Sequence, residues 1–178
     1  MQTAMDFSLE RAREVLVRTP DVLEAMLSEL SGEWVAASEA PDAWSPYQVV
    51  GHLTHIEECD WIDRTRVILE HGTERAFEPV DREAGFTRFR EWTLNDLLHR
   101  FASVRNSNLE TLDALIAVED LGRRGVHPTF GEVTISQLLA TWVAHDLNHV
   151  GQIVKTMAKQ YAEAVGPWRE LLPIIDAP

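Results

Sequence analysis

Apolar residues recur at helical spacing along most of the chain, and convincing strand patterns are almost absent. The clearest run follows Thr93, with apolar residues at Leu94, Leu97, Leu98, Phe101 and Val104. Serine or threonine before such a run is a typical N-cap, and proline directly after it suits the first helical turn. These signals predict helix starts at Ser8, Thr19, Ser45, Thr93 and Thr134.

The caps and breaks divide the chain into four main helical segments. Ser8 opens the first, and Thr19-Pro20 opens either a new helix or a continuation after a kink. The other three are predicted over residues 45–72, 93–116 and 134–161, with Gly72 closing the first of these. The remaining segments are a connection at 31–44, a long loop at 73–92 that can contain a short helical turn, a turn-rich stretch at 118–133, and a tail at 168–175 that docks on the helices.

Four main helices with two long connections predict an all-α four-helix bundle that is not the simple up-down-up-down form. With 178 residues, the chain is most economically one domain over 1–178, long enough to bury a core without disulfides or a structural metal. In the second helix, Val50, Trp61 and Ile68 form an apolar stripe opposite His52. We therefore expect a cover on that side as well, from a partner subunit or from the terminal segment.

Composition narrows the possible partners and location. The net charge of −13 argues against nucleic-acid binding, which depends on Lys and Arg at the phosphate backbone. No apolar run approaches the roughly 20 residues of a membrane span, and the first residues lack the pattern of a secretory signal. The single cysteine, Cys59, cannot form an internal disulfide, so we expect a soluble protein of the reducing cytoplasm.

Three histidines occupy positions that the helical pattern places inside the bundle. His145 and His149 lie about 40° apart on one helix face, on the side of Leu138, Trp142 and Ile153. His52 lies near the middle of the apolar arc of the second helix. If the two helices pack side by side, three imidazoles can meet, and three protein ligands with an open position are typical of a catalytic site for Zn²⁺, Ni²⁺ or Fe²⁺.

An inert interpretation stands beside this one, because a histidine pair at i,i+4 spacing is by itself weak support for a metal site. The sequence HDLNH also lacks the glutamate of HExxH, which excludes the metalloprotease motif with its general base. For Asp146 we favour pairing with an arginine or a helix cap over orienting a ligand histidine. Gln152 can either hydrogen-bond near the site or serve packing.

Other candidate residues have a structural default. His55 lies at the edge of the apolar arc, which favours a half-exposed histidine over a fourth ligand or an acid/base at the pocket rim. His127 precedes a proline in a loop, where a turn hydrogen bond is the default and reaching the pocket is the alternative. Cys59 is expected to be a small core residue. His71 and His99 are expected at the surface.

The chain resembles the DinB-like superfamily of metal-binding four-helix proteins from about residue 7 to 175. The resemblance rests on WSPYQVVGHLTHIEECDW, the turn HPTFG, TISQLLATWVAHDLNHVGQI and YAEAVGPW. The three ligand positions of that family fall on His52, His145 and His149. The resemblance implies an up-down-down-up bundle, a homodimer and a divalent metal, commonly nickel or zinc, with iron or manganese as alternatives.

The resemblance also implies a function. Relatives in this superfamily include hydrolases, transferases that use low-molecular-weight thiols such as bacillithiol or mycothiol, and a maleylpyruvate isomerase. We therefore expect a metal-dependent thiol S-transferase or hydrolase that acts on a small molecule. The alternative is a noncatalytic metal- or ligand-binding bundle with a role in the stress response.

Overall fold

The computed structural model of the chain describes residues 6–176, and helices dominate it. The helices are α1 (Leu9–Leu16), α2 (Thr19–Leu27), α3 (Gly32–Ala36), α4 (Pro46–Cys59), α5 (Trp61–His71), α6 (Ala84–Arg88), α7 (Leu94–Leu115), α8 (Ile135–Lys159) and α9 (Pro173–Asp176). Two short strands, β1 (Arg124–His127) and β2 (Gly131–Thr134), form an antiparallel hairpin before α8. The all-α prediction is confirmed. Within the described residues, no helix has both the length and the apolar character that a bilayer crossing requires.

The predicted helix starts are confirmed at Ser8, Ser45, Thr93 and Thr134. Each of these side chains accepts a hydrogen bond from a backbone N–H in the first turn, and the last three complete capping boxes. Thr19 differs, because Arg18 is the N-cap of α2, and the hydroxyl of Thr19 donates to the carbonyl of Val15 in α1. The second segment is thus the continuation after a kink.

Contacts between α4 and α7 show that these two helices run in the same direction. Near the start of α4, the Tyr47 hydroxyl lies 2.7 Å from the carbonyl oxygen of Trp92, which precedes α7. Near the end of α4, Glu57 pairs with Arg105 in the middle of α7. A parallel pair of consecutive helices requires a long crossover, and residues 73–93 with α6 provide it.

The first and last main helices run opposite to this pair. In α8, Trp142 contacts Glu57, whereas the later His149 lies against His52, which is earlier in α4. In α1, Arg13 pairs with Asp113 near the end of α7, whereas the carbonyl of the later Leu16 contacts Arg105, which is earlier in α7. The order is therefore up-down-down-up, as the resemblance implied.

The second predicted helix is interrupted at Asp60. The backbone of Asp60 has φ −121° and ψ −72°, which ends α4 and starts α5 in place of one continuous helix over 45–72. No proline or glycine marks this position, so the sequence pattern carried no break signal. The break coincides with a buried carboxylate that pairs with Arg64 one turn later. Beyond it, the Trp61 ring stacks on Trp142 of α8, with ring centroids 5.6 Å apart.

The apolar stripe opposite His52 is covered within the chain. Val50, Trp61 and Ile68 are all buried, and they belong to clusters that include α7 side chains such as Phe101 and Leu109. Trp61 stacks on Trp142 of α8 and contacts His145, so it does not lie opposite the histidines as predicted, and Ile68 lies against Gly125 of β1. The cover thus comes from α7, α8 and β1, and the expectation of a partner subunit or terminal segment at this place is wrong. The terminal segment docks on α8 instead, where α9 buries Ile175.

The hairpin replaces much of the predicted turn-rich stretch. Each strand has only four residues, too few for an alternating pattern to be recognised. Gly125 allows β1 to lie directly on α5, because a Cβ atom at that position would be 2.6 Å from Cγ1 of Ile68. The N–H of Phe77 donates to the carbonyl of Val126, which fastens the loop after α5 to the hairpin.

Candidate metal centre

Three histidines from two antiparallel helices meet in the bundle. His52 projects from α4, and His145 and His149 project from successive turns of α8. One ring nitrogen of each lies within 4.8 Å of the other two, and the Nε2 atoms of His52 and His145 are 3.1 Å apart. Two nitrogens bound to one tetrahedral ion at about 2.0–2.1 Å would be separated by roughly 3.3 Å. The separation is therefore close to that of a shared ion, and the predicted convergence is present.

Hydrogen bonds on the outer side of two rings fix which nitrogen carries the proton. The Nδ1 atom of His52 lies 2.8 Å from the carbonyl oxygen of Arg82, which can only accept, so Nδ1 is the protonated nitrogen. The Nδ1 atom of His149 lies 2.8 Å from Oε1 of Gln152 and donates in the same way. In the neutral rings, both Nε2 atoms then keep a lone pair. This outer support is common for histidines that bind metals, and the hydrogen-bonding interpretation of Gln152 is confirmed.

Burial keeps these imidazoles neutral. Desolvation lowers the pKa of His52 to about 4 and that of His145 to about 3, and it also lowers the pKa of His149. The positive charge of Arg82 lowers all three pKa values further. At neutral pH the cluster therefore offers nitrogen lone pairs to a ligand.

The polar atoms of the cluster fit a divalent metal ion. Nδ1 of His145 is buried without a hydrogen-bond partner among residues 6–176, so the polar contact of this ring is the one at Nε2, toward His52. Three neutral nitrogen donors without a carboxylate or thiolate suit zinc, nickel or ferrous iron better than magnesium or calcium.

Aromatic rings hold the imidazoles from the sides. The Trp44 ring is nearly parallel to that of His149, at 8° and 6.0 Å, and lies 4.9 Å from the ring of His52. Trp61 meets His145 edge to face at 5.3 Å. These contacts restrict rotation of the three rings and exclude water from their flanks.

A cavity of about 500 Å³ borders the cluster at His52 and His145. Its outer wall comes from residues 77–82 and from the hairpin tip. His127 lies in this wall, while its Nδ1 atom accepts the N–H of Thr129 at 3.1 Å. Both predictions for His127 are therefore confirmed: it makes a turn hydrogen bond, and it reaches the pocket.

Sequence reasoning missed three charged residues that line the cavity: Asp60, Arg64 and Arg82. Desolvation raises the pKa of Asp60 to about 6, although the nearby charge of Arg64 opposes this rise. Asp60 follows Ile56 by one turn on the inward arc of the helix, so a charge at a core position was the available signal. Arg82 lies in an aperiodic loop that carried no signal.

His55 and Cys59 lie outside the cluster and the cavity. His55 is half-buried, as expected, and its Nε2 atom is 3.6 Å from the sulfur of Cys59. The Cys59 thiol donates to the carbonyl of His55 at 3.1 Å, and burial raises its pKa to about 11. This thiol is half-buried, and its raised pKa disfavours the nucleophilic thiolate. His99 is exposed, as predicted, and the side chain of His71 is 39% exposed.

Asp146 has the structural role that we favoured. Its carboxylate accepts two hydrogen bonds from Arg105, at 2.6 and 3.0 Å. Arg105 is fully buried, and its other donors bind the carboxylate of Glu57 and the carbonyl of Leu16. All five N–H groups of the guanidinium therefore have acceptors. This network joins α1, α4, α7 and α8 directly behind the histidine cluster.

The fold and the cluster define a four-helix bundle with a three-histidine candidate metal centre. The chain belongs to the DinB superfamily, whose family model matches residues 16–153. YfiT from Bacillus subtilis has a similar fold, with a TM-score of 0.75 and 19% identity over 91% of this chain and 94% of that chain. YfiT is described as a probable metal-dependent hydrolase with an unusual four-helix bundle topology.

A second similar structure is TT2238, a four-helix bundle protein. It has a TM-score of 0.54 and 21% identity over 80% of this chain and 95% of its own. At these identities, the two likenesses establish the fold. No curated protein sequence matches the chain. The single-domain organisation, homodimerisation and cytoplasmic location stay predictions.

Proposed function

We propose that the chain is a metal-dependent hydrolase of a small molecule, with His52, His145 and His149 as the ligands of one divalent ion. The proposal rests on one observation: three ring nitrogens lie within 4.8 Å of one another beside a cavity of about 500 Å³. Nickel or zinc suits three neutral imidazoles. The description of YfiT as a probable metal-dependent hydrolase supports the same class of reaction.

The cavity also contains a carboxyl group suited to moving a proton. A divalent ion in the cluster supplies Lewis acidity, which lowers the pKa of a coordinated water or thiol. Asp60 lines the same cavity with a pKa of about 6, so its carboxylate is mostly ionised at neutral pH and its acid form is readily reached. A group of this pKa can accept a proton from attacking water and return it to a leaving group.

Thiol S-transfer is the second candidate function. Three neutral ligands leave the charge of a divalent ion undiminished, which favours an anionic ligand such as the thiolate of a low-molecular-weight thiol. This reaction requires no nucleophile from the protein. That agrees with the position of Cys59, which does not line the cavity.

Elemental analysis tests the metal site directly. We expect purified wild type, stripped with a chelator and reloaded with zinc or nickel, to hold about one ion per chain. His149→Ala should lose it, because two ligands bind far more weakly than three. His99→Ala, at an exposed histidine outside the cluster, is the matched control and should retain the ion. Equal metal content in wild type and His149→Ala would overturn the assignment.

The reaction is tested next on the loaded protein. Hydrolysis is followed with a panel of p-nitrophenyl esters and anilides, and thiol transfer with small thiols and an electrophile such as chlorodinitrobenzene. For hydrolysis we expect Asp60→Asn to reduce kcat about 100-fold with unchanged metal content. Thiol transfer that is insensitive to Asp60→Asn would favour the second candidate. Full metal content with neither activity would favour the noncatalytic bundle.

A further inference from the structure

We infer that the cavity binds a small molecule with a carboxylate group, which Arg82 holds beside the three histidines. This inference deepens the proposed function and rests on it, because it names the class of substrate. It is carried by the position of Arg82, by the charge of the cavity wall and by the character of its remaining surface.

Arg82 lies beside the cluster and has no counterion. Its carbonyl oxygen receives the hydrogen bond from Nδ1 of His52 at 2.8 Å, and Arg82 lines the cavity while remaining exposed to solvent. No carboxylate within residues 6–176 pairs with its guanidinium. By contrast, Arg64 is already paired with Asp60, which is the one carboxylate in the cavity wall formed by the described residues.

The cavity therefore carries excess positive charge in a chain whose net charge is −13. Arg64 and Asp60 offset each other, the histidines are neutral, and Arg82 remains. A divalent ion in the cluster would add to this charge, since neutral ligands do not offset it. An anionic group on the ligand is the complementary partner, and guanidinium binds a carboxylate through two hydrogen bonds.

The other walls indicate the rest of the ligand. They are largely apolar and include Phe77, Val80, Phe130 and Leu138. A volume of about 500 Å³ lies in the usual range for small-molecule sites. The planar fork of the Arg82 guanidinium matches the two oxygens of a carboxylate. The expected ligand thus has an apolar or aromatic body with one carboxylate at the end near Arg82.

A matched pair of probes tests this inference on the zinc-loaded protein. Phenylacetate and phenylacetamide have nearly the same shape and differ in charge, and their dissociation constants can be measured by calorimetry or ligand-observed NMR. We expect wild type to prefer phenylacetate by about tenfold or more, as for a hydrogen-bonded charge pair. Arg82→Gln should abolish this preference, and Arg82→Lys should keep most of it.

The control is Arg90→Gln, which removes the same charge from an exposed side chain outside the cavity. It should leave the preference unchanged. The inference would be overturned if Arg82→Gln bound phenylacetate as tightly as wild type. It would also be overturned if Arg90→Gln lost as much of the preference for phenylacetate as Arg82→Gln. Zinc content is measured on each sample. Wild type that fails to hold zinc contradicts the proposed function, whereas an Arg82-independent preference at full zinc content contradicts only the carboxylate site.

Discussion

The guanidinium of Arg105 binds the carboxylate of Asp146 through hydrogen bonds of 2.6 and 3.0 Å, and Asp146 is the residue next to His145. The same guanidinium binds Glu57 in α4, the helix that carries His52. One buried cation therefore links the two helices whose histidines meet. The spacing of the cluster depends on this pairing as well as on the apolar core.

Replacement of Arg105 by methionine should strongly destabilise the fold. The variant keeps apolar volume but leaves Glu57 and Asp146 buried without their cation, which typically costs about 3–5 kcal/mol. We expect that loss in the free energy of unfolding from urea titration at neutral pH. Arg100→Met is the control, because Arg100 is 45% exposed and its pair with Glu58 should contribute less than about 1 kcal/mol. Similar losses in the two variants would contradict a structural role for the network.

Removal of the hydrogen bond from His149 to Gln152 should weaken metal binding. Gln152→Leu deletes the acceptor that fixes the ring of His149, and losses of about 10–100-fold in affinity are typical of such changes. Competition with a fluorescent zinc chelator measures the dissociation constant. Gln152→Glu restores an acceptor and should bind at least as tightly as wild type. Unchanged affinity in Gln152→Leu would mean that other contacts orient the ring.

The metal-free protein should lose stability as the pH falls below about 6.5. His52 and His145 have folded pKa values of about 4 and about 3, below those in the unfolded chain, so the unfolded state binds more protons in this range. Their contribution is complete above the unfolded pKa and is lost toward the folded values, at about 1.4 kcal/mol per pH unit for each group.

Urea titrations in the presence of a chelator, between neutral pH and pH 5, measure this slope. His145→Asn should reduce it, because one titrating group is removed. His99→Asn removes an exposed histidine and should leave the slope as in wild type. A slope that is the same in wild type and His145→Asn would show that the buried histidines do not control acid stability.

The close approach of α6 to α4 leads to a prediction for Gly85. A Cβ atom at this position would lie 2.7 Å from the backbone oxygen of Gly51, so Gly85→Ala must push α6 away from α4. We expect a loss of about 1–3 kcal/mol in the free energy of unfolding, and weaker zinc binding because Arg82 precedes α6 and supports His52.

Gly151→Ala is the matched control. Gly151 lies on the exposed side of α8, and no atom is within 4 Å of a Cβ placed there. This substitution should raise the free energy of unfolding by about 0.5–1 kcal/mol, because alanine is favoured over glycine inside a helix. Thermal unfolding of both variants checks the contrast. Tolerance of Gly85→Ala would show that α6 is free to shift without affecting the site.

The helices and the histidine cluster could be predicted from the sequence because both depend on local regularities. Ser45, Thr93 and Thr134 cap helices through residues three positions away, and the inward faces of two amphipathic helices identify the three histidines. The helix break at Asp60 could not be predicted, because no proline or glycine marks this position. The break goes with the burial of the Asp60 carboxylate, which depends on tertiary packing.

The remaining parts of the site depend on packing between distant segments. Arg105 lies on the apolar stripe of α7 between Phe101 and Leu109, a signal of a buried charge that the sequence prediction did not use. Its partners Glu57 and Asp146 follow only from the arrangement of the helices. Arg82 belongs to an aperiodic loop. Its position beside His52 results from the contact of α6 with α4. The hydrophobic pattern of the sequence does not indicate this contact.

The ligand set and the cavity wall are encoded in separate parts of the chain. The three histidines project from long capped helices. Much of the outer wall comes instead from residues 77–82 and from the tip of the hairpin, whose strands have four residues each. Loops tolerate substitution and insertion far better than packed helices do. Substitutions in these two segments would thus change which molecules are accepted, while the three histidines and the backbone carbonyl at position 82 that supports His52 are kept. Substrate choice can then diverge within one scaffold without a change of metal ligands.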